Sequence, residues 1–85
     1  MERSNPDLIA AFAAVLRRRR KAVGLSQEEF AFRSGLSPSY VSYLETKRRQ
    51  PTLSVLAAIC DQLDISMTEF VADVEESRVG LGKSS

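Results

Sequence analysis

Histidine and tryptophan are absent from this 85-residue chain, and cysteine occurs once. Without an imidazole, the chain lacks the side chain used most for general-base work and metal ligation near neutral pH. The single thiol, Cys60, excludes an intrachain disulfide and a cysteine metal site, and it suits a reducing cytoplasm. There is no glycine-rich phosphate loop, and the acids lie scattered along the chain with no nucleophile beside them. Neither an enzyme nor a cofactor is expected. Long apolar runs are missing too: none approaches the roughly 18 residues of a membrane span, and no charged start leads into an apolar leader.

Only four glycines and three prolines punctuate the chain, so long helices are permitted. A hydrophobic share of 44% is enough for one core, and the length is that of one small domain. The net charge of +1 hides a separation. Residues 17–49 carry nine basic side chains against three acidic ones, whereas residues 50–76 carry six acids and no base. Such a chain is suited to hold a polyanion at one end while the other faces water or a partner.

Helix punctuation recurs along the sequence. Asn5-Pro6-Asp7 predicts a start, and a first helix is expected from Pro6 to about Val23, with Leu8, Ile9, Phe12, Ala13 and Leu16 on one stripe and Gly24 as a left-handed stop. Ser26-Gln27-Glu28-Glu29 has the form of a capping box and predicts a short second helix, Gln27 to Ser34, ended by Gly35. Ser37-Pro38 opens a third helix to about Thr46. Thr52 opens a fourth, with Leu53, Leu56, Ala57, Cys60 and Leu63 inward; Ser66 opens a fifth, with Met67, Phe70, Val71 and Val74 on its apolar side. No convincing strand appears, so the fold class is all-α with five helices. Residues 1–76 form the domain, and the glycine-bearing segment 77–85 is expected to be a mobile tail.

Helix 2, a tight turn and helix 3, about residues 27–46, have the spacing of a DNA-binding helix-turn-helix. Ala31 is small where the helices cross, Gly35 supplies the turn, and Val41 and Leu44 anchor the second helix. At 100° per residue, Ser39, Ser42, Tyr43 and Thr46 fall on the side opposite Val41, Leu44 and Glu45. That hydroxyl-bearing stripe suits the edges of base pairs, and Lys47, Arg48 and Arg49, with Arg17, suit phosphates.

The segment "GLSQEEFAFRSGLSPSYVSYLETKRRQPTLSVLAAICDQLDIS" resembles the Cro/C1-type, or XRE, helix-turn-helix family over about residues 8–74. The size is similar to that of restriction-modification controller proteins. The resemblance implies a compact five-helix, lambda-repressor-like DNA-binding domain and a transcriptional regulator of double-stranded operator DNA. It implies base reading by Ser37, Pro38, Ser39 and Tyr43, with Tyr40 on the flank facing a base, a phosphate or neighbouring helices. It further implies a phosphate contact from Gln27 and a salt bridge between Arg20 and Glu45. Family members often carry long amides or bases at the reading positions. The short serines here predict that DNA shape and water supply part of the specificity.

Helices 4 and 5 hold the acids and are expected to complete the core and to form a homodimer surface through Ile65, Met67, Phe70, Val71 and Val74. The other reading is an antitoxin-like interaction module that grips a protein through those acidic helices. The outward hydroxyl stripe and the basic loop favour DNA.

Overall fold

Five side chains start five helices in the same way. In the computed structural model, which describes residues 4–83, Asn5, Ser26, Ser37, Thr52 and Ser66 each accept a hydrogen bond from the backbone N–H three residues on, at 3.0–3.1 Å. Each bond satisfies a donor that the first helical turn cannot pair internally. The helices that follow are α1 (Pro6–Ala22), α2 (Gln27–Ser34), α3 (Pro38–Glu45), α4 (Leu53–Leu63) and α5 (Met67–Lys83). At Ser26 the box closes in both directions, with the backbone N–H of Ser26 donating to Glu29 Oε1 at 3.4 Å.

The stops are equally regular. Gly24, Gly35, Lys47 and Asp64 take left-handed φ values of 76°, 73°, 69° and 55° after α1 to α4. After α1, Gly24 N–H donates to Lys21 O and Leu25 N–H to Arg20 O, the paired bonds of a Schellman end. Only two of the four positions carry glycine, the residue for which this conformation costs least.

The two longest helices, α1 and α5, lie along one another, and α2, α3 and α4 close the remaining sides of one core. Phe12, Val15 and Leu16 of α1 meet Phe30 and Ala31 of α2, Val41 and Leu44 of α3, Ile59, Cys60 and Leu63 of α4, and Phe70 and Val74 of α5. The Phe12 and Phe70 rings tilt at 57° with centroids 5.7 Å apart, within the separation at which aromatic pairs attract.

Three features differ from the sequence reading. First, α5 does not stop near Glu76 but continues to Lys83, so residues 77–83 are helical; residues 1–3 and 84–85 lie outside the described residues. Gly80 and Gly82 weaken a helix without capping it, and Arg78 holds the turn by donating two bonds to the Glu75 carboxylate at 2.6 and 2.7 Å. Those bonds hold the Glu75 carboxyl below its ordinary range. Second, Leu53 is 76% exposed at the first turn of α4, while Ile59 takes an inward place. Third, the charge separation along the chain is partly cancelled in space. Arg19 Nε donates to Asp73 at 2.8 Å, and Arg18 and Arg19 also reach Asp73 and Glu69, fastening α1 to α5.

Candidate nucleic-acid interface

The short α3 is held from below and displayed above. Val41 and Leu44 are fully buried, whereas Ser37, Pro38, Ser39, Tyr43 and Thr46 are exposed and Ser42 is half-buried. Two consecutive left-handed stops, at Gly35 and Lys47, bracket the helix, so the chain turns sharply at both ends. Thr46 Oγ1 spends its proton on Ser42 O at 2.7 Å, which removes it as a donor to an outside group. Tyr40 is half-buried and packs against the core cluster, in contrast to Tyr43.

Beneath the helix lies a buried polar node. Arg20 Nε donates to Glu45 Oε2 at 2.6 Å and Nη2 to Glu45 Oε1 at 3.0 Å, a two-pronged pair whose side chains are 8% and 2% exposed. Arg20 Nη1 donates to Leu25 O at 2.7 Å. Gln27 Nε2 adds a bond to Glu45 Oε1 at 2.9 Å. Two helices therefore donate to one carboxylate at the end of α3, α1 through Arg20 and α2 through Gln27, and the α1–α2 turn steadies the guanidinium through the Leu25 carbonyl. A charge this buried is tolerable only because both partners are hydrogen-bonded.

Gln27 thus has a role that sequence reasoning missed. One of its amide N–H groups faces inward, and the side chain is fixed in an open groove between the starts of α2 and α3, together with Ser26, Pro38, Ser39 and Ser42. Glu28 lines the same groove and sets a negative charge beside any phosphate seated there. No spacing rule marks that opposition, since it depends on how the two helices cross.

The basic run after α3 fans out instead of forming one cluster. Arg48 and Arg49 N–H groups both return to Tyr43 O, at 2.8 and 3.3 Å, which winds the segment around the helix end. Arg48 then stands over the Tyr43 ring at 5.9 Å, Arg49 borders an apolar cleft with Leu8 and Phe70, and Lys47 turns toward α1 with Arg17.

Of the residues expected at a twofold contact, Phe70 and Val74 are buried in the monomer's own core, because α5 uses them against Phe12. Val71 is 48% exposed, and Ile65 and Met67 are half-buried. Among the described residues no group of three or more metal-capable side chains gathers, and no helix is long and apolar enough to cross a membrane.

A helix-turn-helix family model matches residues 16–70. The chain belongs to the helix-turn-helix family. This helix-turn-helix protein is 41% identical over 63 residues to the uncharacterized HTH-type transcriptional regulator y4dJ of Sinorhizobium fredii, covering 74% of the present chain and 82% of that one. Its fold is similar to the clp gene regulator ClgR from Corynebacterium glutamicum, with a TM-score of 0.83, 31% identity, and coverage of 88% and 80% of the two chains. It is also similar to the restriction-modification controller protein C.Esp1396I, solved as a tetramer with its natural 35-base-pair operator, at a TM-score of 0.77, 26% identity, and coverage of 85% and 95%.

Proposed function

We propose that this chain is a sequence-specific DNA-binding transcriptional regulator that lays α3 in the major groove of a palindromic operator as a homodimer, in the cytoplasm and without a cofactor. The observation that carries the reading is the outward stripe of Ser39, Ser42 and Tyr43, fixed from beneath by the Arg20–Glu45–Gln27 node. Ser37, Pro38, Ser39 and Tyr43 are the base-reading positions, and Tyr40 supports them from the flank. Gln27, Arg17, Lys47, Arg48 and Arg49 serve the phosphates. Short hydroxyls offer few two-pronged base contacts, so shape and water complete the specificity.

One domain of this size reads few base pairs, and a twofold pair doubles the contacts with half-sites about 34 Å apart. The outward face of α5, where Met67, Thr68, Val71 and Ala72 form a shallow, mostly apolar surface edged by the Arg78-paired Glu75, supports dimerisation there. Ile65, half-buried ahead of α5, packs on the core together with the buried Phe70 and Val74, and the three stiffen the face from within. A protein partner gripping the acids of α4 and α5 has less to hold, since Asp73 and Glu69 are already engaged by Arg18 and Arg19.

In vitro selection of bound duplexes at two salt concentrations tests the proposal. An enriched sequence with twofold symmetry is expected, and binding that weakens steeply with salt. Recovery of unenriched DNA would overturn it.

A further inference from the structure

A concave cleft opens beside the Phe12 and Phe70 rings, between the start of α1, the loop that leads into α4, and α5. It encloses about 240 Å³. The buried Leu56, Phe70 and Val74 form its base, and the exposed Leu8 and Val71 form its edges. Arg49 and Gln50, the polar members of the lining, both stand exposed at its mouth. Arg49 forms no salt bridge among the described residues.

Close packing accounts for the rest of the core but not for this recess. Interiors hold few voids wider than a water molecule, and apolar walls that face open space forgo dispersion contacts. An apolar cavity of roughly 150 Å³ stays dry and takes up benzene, so a larger one has room for a ring with a short tail or a chain of several carbons. Drug-sized ligands fill about 300 Å³ or more, which bounds the occupant from above. Apolar walls with one cation at the mouth suit an apolar body with one negative end. A carboxylate meets a guanidinium through two parallel hydrogen bonds, and its single charge matches the one cation. A phosphate monoester, with nearly twice the charge, would stay half-paired.

We propose that the cleft binds a small apolar carboxylic acid, such as a medium-chain fatty acid, whose carboxylate pairs with Arg49, and that this pairing loosens the hold on DNA. The second half rests on the DNA-binding reading, in which Arg49 serves a phosphate, because one guanidinium cannot grip both anions at once. By linkage, operator and acid then weaken each other's binding by the same factor. Val71 borders both this cleft and the dimer face. A second copy of the chain is nevertheless the poorer occupant, since a twofold contact matches one patch with itself and leaves the recess without an anion for Arg49.

The test titrates the full chain with hexanoate, octanoate and neutral octanol, followed by the methyl resonances of Ile9, Leu56 and Val74, with Leu8→Trp and Arg49→Gln as variants. Leu8 is exposed and lies outside the DNA and dimer surfaces, so a tryptophan there fills the cleft without altering either. Saturable binding of octanoate is expected, about 15-fold tighter than hexanoate for the two added methylenes. Leu8→Trp abolishes it, and Arg49→Gln weakens octanoate ~10-fold or more while leaving octanol unchanged. At matched ionic strength, saturating octanoate weakens binding of the native chain to its selected operator about 5-fold or more, and Arg49→Gln removes that effect. Octanoate that binds the native and Leu8→Trp chains alike, or binds neither, overturns the site. So does a dimer weakened by Leu8→Trp in sedimentation without octanoate uptake, which gives the cleft to a second copy. Octanoate that fills the cleft with operator affinity unchanged overturns the link to DNA. A native chain that prefers no duplex overturns the DNA-binding reading, while the acid site stands or falls on its own titration.

Discussion

At the scale of the residue, the decisive atom set is the Glu45 carboxylate and its two partners, Arg20 and Gln27. Removing Arg20 leaves a buried charge with only Gln27 to solvate it. Arg20→Met should destabilise the fold by about 3–5 kcal/mol in urea unfolding, and Arg20→Met with Glu45→Leu should recover part of that loss. The inward place of Glu45 is legible from its register with Val41 and Leu44. The bond from Gln27 is not, because it depends on how closely α2 and α3 cross. Cys60 is a second residue-scale case. Burial pushes its thiol above the ordinary 9.0, so the unfolded chain ionises first as pH rises. Stability from this group is therefore complete below about pH 9 and declines above it. Cys60→Ala should lessen the decline in a pH series of unfolding midpoints, and the native thiol should resist modification until the chain unfolds.

Elements were the most legible level, because a hydroxyl or amide cap and a left-handed stop act within a few residues of sequence. Asn5, Ser26, Ser37, Thr52 and Ser66 each mark a true helix start. The end of α5 was hidden for a physical reason: glycine in a helix lowers its stability by an amount that packing along α1 readily exceeds. A β-carbon at Gly80 would meet nothing within 4 Å. Gly80→Ala should therefore stabilise the protein by about 0.5–1 kcal/mol in chemical denaturation. In α3, Ser39→Ala removes one short hydroxyl. Its cost across a panel of single-base operator variants should be small and spread, whereas a large loss at one base pair would show direct readout there.

Over the whole molecule, chain-level charge proved a poor guide to surface charge. Residues 17–49 and 50–76 look like opposite poles, yet α1 and α5 fold together and pair Arg18 and Arg19 with Asp73 and Glu69. What remains for a polyanion is the smaller set around α3 and the outer side of α1. The same packing withdrew Phe70 and Val74 from any subunit contact, since period alone cannot tell whether an apolar face meets its own chain or another. Val71→Asp should give a folded monomer in sedimentation at micromolar concentration and lose most of its affinity for a full palindrome. The most direct trial of the account is a change of specificity. Selection with the Ser39→Arg variant, set beside selection with the native chain, should introduce a guanine at the same place in both half-sites, because an arginine there meets a base edge. An unaltered consensus from a variant that still binds would contradict the claim that α3 reads the groove.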